Sequence, residues 1–283
     1  MSFKIGQDNQ LVVARLHEAG VMLGDTMESE QLVLLPNRYV PENTVVGDSI
    51  DVFVYLDSDD RPIATTEQPL AKVGEVQKLK CLDVNFIGAF MDWGLPKDLL
   101  VPFSEQYHEM QVGREYLVYL YIDKASKRIA GSSRLDRFLD KTPAHYTKNQ
   151  QVELTIRRKT DLGYNAIINH AHTGLIFQSD IISPLQVGQK LVGYIKQVRN
   201  DGKIDLSLQK PISQAKVELS DVILQKLKDN DGFLALNDKS KPELIYKLFN
   251  SSKATFKKAL GKLYKERKIK IESKGIYLTD KQS

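Results

Sequence analysis

The chain has 283 residues, of which 42% are apolar and 27% charged, so it can bury a core and is not a disordered tail. Its single cysteine excludes a disulfide framework and a cysteine-cluster zinc site. No apolar run approaches the roughly 18 residues of a membrane span, and the first residues lack the apolar core of a secretory signal, so we expect a cytoplasmic protein.

The net charge of +4 conceals an uneven distribution along the chain. Residues 1–68 carry 4 Lys and Arg against 12 Asp and Glu, whereas residues 69–144 carry 11 against 10. Residues 145–212 carry 9 against 5, and residues 213–283 carry 16 against 9. A basic carboxyl-terminal half favours a polyanionic partner. A solvated lysine surface is the alternative.

Three Val-Gly pairs mark an internal repeat and end at Gly47, Gly113 and Gly188. Each glycine precedes an alternating apolar stretch; an isoleucine stands 16 residues after it, and another apolar run ends 11 residues before it. Period-two alternation and Gly/Asp/Ser turns predict short strands with one buried face. About five strands in ~70 residues is the size of a small barrel such as the OB fold. We therefore predict barrels at residues 1–68, 69–144 and 145–212.

The second copy resembles the core of the ribosomal S1 RNA-binding domain. It reads FIGAFMDWGLPKDLLVPFSE (86–105), a Gly-Ala-Phe strand, a variable loop and a strand like Gly-Leu-Val-His-Ile-Ser-Glu. The third copy keeps HTGLIFQSD (172–180) and closes with GKIDLSLQK (202–210), whereas GVMLGDTMESEQLVLLPNRYV (20–40) in the first copy diverges most. Three such repeats before a basic helical tail resemble the conserved virulence factor B (CvfB) family over nearly the whole chain.

The S1 resemblance implies that unpaired bases stack on exposed rings while basic side chains contact the phosphates. In the second copy Phe90 matches one stacking position of the family, and Phe86 lies one residue from another. Trp93, just after the same strand, is a further candidate. In the third copy Phe177 stands at the family's histidine position, with Tyr164 nearby. Core packing is the alternative for each ring. The first copy offers no ring at these positions, so we expect it to have lost direct binding.

The third copy adds basic candidates for RNA contact: Arg157, Arg158, Lys159, Lys196 and Arg199. They can pair with phosphate or stack on bases. The alternative is a solvent-exposed edge strand whose charges prevent it from pairing with other strands.

His170 and His172 form an alternating pair where a barrel would meet its ligand. Two histidines without a third ligand do not make a metal site, so contact with a base or phosphate is favoured. Phe103, in contrast, matches an inward position of the S1 pattern, and we expect it in the core.

We find no Walker A loop, dinucleotide fingerprint or EF-hand, and no segment is left for a catalytic domain. We therefore expect no cofactor, no metal and no enzymatic activity.

Helical spacing replaces the strand pattern after Pro211. The segments 217–229, 239–249 and 251–268 predict three helices, with Ser240 and either Ser251 or Ser252 as N-caps, and 268–280 predicts a hairpin. This order resembles a winged helix-turn-helix at residues 213–283, with the third helix in the recognition role. Its candidate nucleic-acid contacts are Lys253, Lys257, Lys258, Lys262, Lys265, Arg267, Lys268, Lys270 and Lys274. Such a lysine-rich face favours phosphate affinity over base reading, and a protein-docking module is the alternative.

The predicted fold is multidomain and mainly β, with three tandem S1-like OB-fold barrels followed by a small α+β winged helix domain. The CvfB resemblance implies a non-catalytic protein that binds single-stranded RNA and regulates gene expression after transcription. Two alternatives stay open. One is a winged-helix regulator that binds DNA, and the other is a scaffold that docks on the ribosome, a nuclease or another RNA-processing protein. No membrane partner is expected.

Overall fold

The computed structural model describes residues 3–181, 183–209, 219–249 and 251–279. The chain divides into two compact units, residues 1–210 and 211–283. The first unit contains three five-stranded barrels, and the second contains helices and a small sheet. The predicted mainly-β architecture, with three barrels and a winged helix domain, is confirmed.

The three barrels share one connectivity. The first consists of β1 (Gln7–His17), β2 (Gly20–Gly24), β3 (Val33–Pro36), β4 (Ser49–Leu56) and β5 (Pro62–Thr65). The second consists of β6 (Val76–Asn85), β7 (Gly88–Asp92), β8 (Leu99–Pro102), β9 (Glu115–Ile122) and β10 (Ile129–Ser132). The third consists of β11 (Gln151–Thr160), β12 (Gly163–Ile168), β13 (His172–Phe177), β14 (Lys190–Val198) and β15 (Ile204–Ser207). The orders β1-β2-β3-β5-β4 and β11-β12-β13-β15-β14 are closed, whereas β10-β9-β6-β7-β8 is nearly closed.

The Val-Gly repeat marks where each barrel closes on its first strand. The glycine N–H groups donate to strand carbonyls in the pairs Gly47–Val13 (2.9 Å), Gly113–Cys81 (2.8 Å) and Gly188–Ile156 (2.8 Å). Each accepting residue comes directly before a bulge, where the first strand bends. The glycines have φ angles of 97°, 82° and 84°, which residues with a side chain adopt rarely. The repeated spacing thus reflects the same hydrogen bond and turn in all three barrels.

The first two barrels share a packed aromatic cluster. The Trp93 ring lies edge-on to Phe53 and Tyr55 of the first barrel, with ring centroids 5.9 Å and 6.4 Å apart. Its Nε1–H donates to the carbonyl of Lys97 at 2.6 Å, and the side chain is only 3% exposed. The two barrels are therefore joined by buried apolar surface, which holds them in a fixed arrangement.

A second apolar cluster joins the second and third barrels. It contains Val76 from β6, Leu135 and Leu139 from the connecting segment, and Ile167 from β12. The segment that links the barrels is therefore packed rather than free.

The carboxyl-terminal unit has the predicted helices and hairpin. Its elements are α1 (Leu219–Asp229), β16 (Phe233–Leu234), α2 (Pro242–Phe249), α3 (Lys253–Lys265), β17 (Ile269–Glu272) and β18 (Gly275–Leu278), with the strand order β16-β18-β17. The predicted apolar stripe of α3, namely Phe256, Leu260 and Leu263, is buried. The predicted start of the first helix at 217, the domain boundary at 212/213 and the hairpin end at 280 lie outside the described residues. Within the described ranges, no helix has the length and apolar character needed to cross a membrane.

Of the predicted helix caps, one is confirmed and one is wrong. The Ser252 hydroxyl accepts a hydrogen bond from the N–H of Thr255, which caps α3. The Ser240 hydroxyl instead accepts from the N–H of Asn237 at 2.8 Å, and α2 begins at Pro242. Ser240 therefore closes the turn before the helix.

Candidate nucleic-acid interface

Phe177 lies on the outer face of the third barrel close to two cations. Along β13 buried and half-buried residues alternate, which places Phe177 on the outer side. The Nζ of Lys196 and the guanidinium carbon of Arg199 each lie 5.8 Å from the ring centroid. This arrangement combines a stacking surface with two positive charges, the two elements that single-strand binding uses.

Both cations pair with a carboxylate: Lys196 with Asp180 at 3.2 Å, and Arg199 with the buried Asp205. Arg199 Nε donates to Asp205 Oδ2 at 3.0 Å, and its Nη2 lies 2.8 Å from Oδ1. Gln197 also donates to Oδ2 at 2.6 Å. Burial opposes ionisation of Asp205, but these hydrogen bonds and the charge of Arg199 outweigh it, so the pKa of Asp205 lies below its usual value. Asp205 is therefore ionised at neutral pH.

A groove of about 520 Å³ lies beside this cluster, and Arg199 and Asp205 form part of its wall. Asn165 and Leu175 face each other across β12 and β13 and line the same groove. Arg158 stands opposite Asn165 on β11 and is exposed, as is its neighbour Lys159. The groove thus offers an amide and an apolar side chain next to the cations.

A groove of about 640 Å³ is lined chiefly by the second barrel, with Tyr55 and Leu56 of the first barrel at one side. Phe90 on β7 is half-buried and pairs directly with Leu100 on β8. Tyr121 on β9 and Ile87 extend this apolar wall. The groove can therefore accept a flat apolar group such as a base.

Carboxylates offset the positive charge of this second groove. Asp60 of the first barrel forms ion pairs with Arg128 and with Lys97 (3.4 Å), two cations that line the groove. The hydrogen bond from Arg128 holds the pKa of Asp60 below its usual value. Three further acidic residues line the groove: Asp98, Glu105 and Asp123. Carboxylates also line the third-barrel groove, namely Asp140, Asp201 and Asp205, so what sets the third-barrel cluster apart is the pair of cations close to an aromatic ring.

We expect Asp60→Ala to raise the affinity of the full chain for single-stranded RNA, by about twofold to fivefold at ~50 mM salt. The change removes the carboxylate that engages Arg128 and Lys97, although Lys97 keeps its hydrogen bond to the carbonyl of Asp57. Alanine is less favourable than aspartate at the left-handed backbone of this position (φ 62°), so melting curves verify that the variant is folded. Fluorescence anisotropy with a labelled oligonucleotide measures the affinity. Asp59→Ala is the matched control, because Asp59 is exposed in the same turn and pairs with Arg61 at 2.7 Å. An equal gain from both variants would mean that net charge alone is responsible.

Three of the predicted RNA contacts are buried in the structure, which contradicts the prediction for Trp93, Tyr164 and His172. Trp93 packs between the first two barrels, and Tyr164 lies in the core of the third. His172 Nε2 lies 2.8 Å from the carbonyl of Thr142, which can only accept, so Nδ1 accepts from the Tyr146 hydroxyl at 2.9 Å. Within the described part of the chain, no three His, Cys, Asp or Glu side chains are grouped to hold a metal ion.

Arg157 and His170 contribute to contacts between the second and third barrels. Arg157 forms a two-pronged ion pair with Asp136 of the connecting segment, with N–O distances of 2.7 and 2.8 Å. His170 Nδ1 accepts the N–H of Val76 on β6 at 2.9 Å. Both side chains therefore have structural partners in place of the expected RNA contact.

We expect acidification from pH 7.5 to 5.5 to weaken the contact made by His170. Burial lowers its pKa; the charge of Lys190 lowers it further, and the charges of Glu75 and Glu153 oppose this. Because the pKa of His170 in the folded protein lies below its usual value of about 6.5, the stability that the neutral side chain contributes is fully present above pH ~6.5. This contribution is lost as the pH falls through the pKa of the folded state.

Melting temperature against pH measures this effect, and we expect the His170 contribution to be about 2 °C. His170→Asn is the matched variant, because Asn tolerates the left-handed backbone at this position (φ 60°) and offers an acceptor that does not titrate. The variant should lose that part of the pH dependence. An identical pH profile for both proteins would contradict the assignment.

Phe86 and Phe103 are exposed rings of the second barrel. Phe86 is 90% exposed at the hairpin tip between β6 and β7. Phe103 is 45% exposed, so its expected place in the core is wrong. It begins a short 3-10 turn after β8, where strand alternation no longer applies. Asn37 and Gln178 begin the corresponding turns of the other barrels, and their polarity was a signal that this position faces water.

The predicted basic face of the winged helix domain is largely exposed. Eight of its nine members are exposed: Lys257, Lys258, Lys262, Lys265, Arg267, Lys268, Lys270 and Lys274. Lys253 is half-buried and donates to the carbonyl of Lys239 at 3.2 Å. Lys268 forms an ion pair with Glu266 at 2.8 Å. The domain therefore presents positive charge on the side of α3 opposite its buried stripe.

Two family models match the chain. An S1 domain model matches residues 5–67 and 73–132, and a CvfB-like winged helix domain model matches residues 221–278. The first S1 match covers the copy that we expected to be most divergent, which remains recognisable. S1 and winged helix domains together identify a nucleic-acid-binding protein.

Similar proteins extend over most of the chain. "Uncharacterized protein YitL" of Bacillus subtilis (strain 168) is 28% identical and covers 98% of this chain and 94% of its own. "Conserved virulence factor B" of Staphylococcus aureus (strain N315) is 29% identical, and the match covers 83% of this chain and 81% of that protein. A crystal structure of a multidomain protein with nucleic acid binding domains from Streptococcus pneumoniae TIGR4 is 26% identical, covers 97% and 98%, and has a TM-score of 0.40. The chain thus contains S1 domains and a CvfB-like winged helix domain, and it is similar over most of its length to proteins named Conserved virulence factor B.

Proposed function

We propose that the chain binds single-stranded RNA, chiefly through the third barrel, and regulates gene expression after transcription without catalytic activity. The observation that carries this proposal is the half-buried Phe177 ring with Lys196 and Arg199 each 5.8 Å from its centroid. The corresponding repeat positions are Pro102, Tyr121 and Lys124 in the second barrel, and Pro36, Tyr55 and Ser58 in the first. The third barrel thus combines a ring with two cations at these positions.

The geometry favours unpaired nucleotides over a duplex. A ring on a barrel face can stack only on a base whose own face is accessible, and duplex bases are covered by their neighbours. The cations beside Phe177 can contact the adjoining phosphates. The exposed lysines of the winged helix domain add salt-sensitive phosphate affinity. The regulatory part of the proposal rests on the CvfB-like winged helix domain and on the similarity to proteins named Conserved virulence factor B.

The test compares three probes of equal length, about 12 nucleotides, with the full chain at ~50 and ~200 mM salt: single-stranded RNA, duplex RNA and duplex DNA. We expect the tightest binding to single-stranded RNA at both salt concentrations, and an intact RNA after prolonged incubation. Tighter binding to duplex DNA would support the DNA-binding alternative and overturn the proposal. Failure to bind any probe would favour the scaffold, and RNA cleavage would overturn the non-catalytic assignment.

A further inference from the structure

A buried carboxylate in the third barrel replaces an alanine of the other two. The residue 17 positions after the repeated glycine is Ala64 in the first barrel, Ala130 in the second and Asp205 in the third. All three positions are buried, and Asp205 is only 3% exposed. Burial of a charge is unfavourable unless the charge is paired and hydrogen-bonded. The third barrel must therefore contain partners that the other barrels do not need at this position.

Those partners are Arg199 and Gln197, both from the β14 side of the barrel. Arg199 contacts both carboxylate oxygens, at 3.0 and 2.8 Å, which fixes the plane of its guanidinium. These two contacts leave further N–H groups of the guanidinium for a ligand. The guanidinium carbon lies 5.8 Å from the Phe177 ring centroid, on the half-buried outer face of the barrel.

We propose that Asp205 is a positioning residue that holds Arg199 beside Phe177, forming a subsite for one unpaired nucleotide. The base stacks on Phe177, and its phosphate is contacted by Arg199 and Lys196. This inference rests on the proposed binding of single-stranded RNA by the third barrel. A free arginine has many rotamers and would be ordered only when RNA binds, whereas Asp205 orders it beforehand.

Charge alone predicts the opposite effect of removing this carboxylate. Loss of a negative charge beside a polyanion site strengthens binding when the carboxylate has no other role. A positioning role predicts weaker binding, because the released guanidinium no longer has a fixed place beside the ring. Whether RNA affinity rises or falls when Asp205 is replaced therefore distinguishes a pure charge effect from a positioning role.

The experiment measures single-stranded RNA affinity of the full chain for Asp205→Ala, Arg199→Ala and the double variant. We expect Asp205→Ala to weaken binding about fivefold and Arg199→Ala about tenfold, with no further loss in the double variant, because the carboxylate acts through the arginine. Alanine already occupies this position in two barrels, so the fold should tolerate it, and melting curves verify this. Asp205→Asn retains the size and one acceptor oxygen, and should give an intermediate loss.

Asp201→Ala is the matched control for charge. Asp201 is exposed in the turn between β14 and β15 and pairs with Lys203 at 3.0 Å. Its removal should leave the affinity unchanged or slightly higher. A similar gain in RNA affinity for Asp205→Ala would overturn the positioning role. So would a loss of affinity on Asp205→Ala that is equally large in the Arg199→Ala protein and in the wild type.

A measurement without RNA keeps the two proposals separate. The Arg199 Nε–H resonance should be protected from exchange in the wild-type protein and lose that protection in Asp205→Ala. Rapid exchange in the wild type would overturn the positioning role even if RNA binds. Protection together with no RNA binding would overturn the proposed function and the nucleotide subsite with it.

Discussion

Replacement of Trp93 with alanine is expected to lower the free energy of unfolding by about 3–5 kcal/mol. The side chain is 3% exposed and packs on Phe53 and Tyr55 of the first barrel, so truncation leaves a cavity where two barrels meet. It also removes the Nε1–H donor to the carbonyl of Lys97. Chemical denaturation followed by circular dichroism measures the change.

Phe86→Ala is the control, since it removes an exposed ring from the same barrel and should change the stability by less than about 0.5 kcal/mol. The folded Trp93→Ala variant should keep nearly the same RNA affinity, because the main proposed site lies in the third barrel. A small loss of stability together with a large loss of RNA affinity would return Trp93 to the role that the S1 resemblance implied.

Phe177→Ala is expected to weaken single-stranded RNA binding by about 1–3 kcal/mol, the usual contribution of one stacked base. The residue is half-buried on the outer face of β13, so the barrel core remains intact. Because the ring carries no charge, the dependence of affinity on salt should stay the same. Lys196→Ala should instead reduce the slope of log affinity against log salt by about one. Anisotropy titrations at several salt concentrations measure both quantities.

Phe90→Ala is the matched variant in the second barrel and should have a smaller effect. The cations of its groove, Arg128 and Lys97, are engaged by Asp60 of the first barrel, whereas Lys196 and Arg199 each lie 5.8 Å from the centroid of the Phe177 ring. Equal losses for the two phenylalanines would show that both barrels bind RNA alike. A loss only in Phe90→Ala would move the main site to the second barrel.

The sequence predicts the repeated barrels because their closure is local chemistry. Each Val-Gly pair needs a glycine at positive φ whose N–H reaches the first strand, and this requirement recurs at the same spacing. The strands follow from period-two alternation, and the stripe of Phe256, Leu260 and Leu263 predicts the burial of α3 in the same way. Ser252 caps α3 through a contact within three residues, so it too can be inferred from local pattern.

The roles of individual rings and charges depend on contacts between distant parts of the chain. Trp93 looks like a stacking ring in sequence, but the first barrel covers it. His170 and Arg157 look like RNA contacts, yet they meet Val76 and Asp136 between barrels.

The amino-acid sequence by itself determined the number of barrels, their strands, the helices of the second unit and the basic charge of its surface. Only the tertiary structure decided which rings remain exposed, that Asp60 engages the cations of the second groove, and that Asp205 holds Arg199 beside Phe177. The physical reason is range: turns, caps and alternation act over a few residues, whereas burial and ion pairing depend on which surfaces meet when the chain folds.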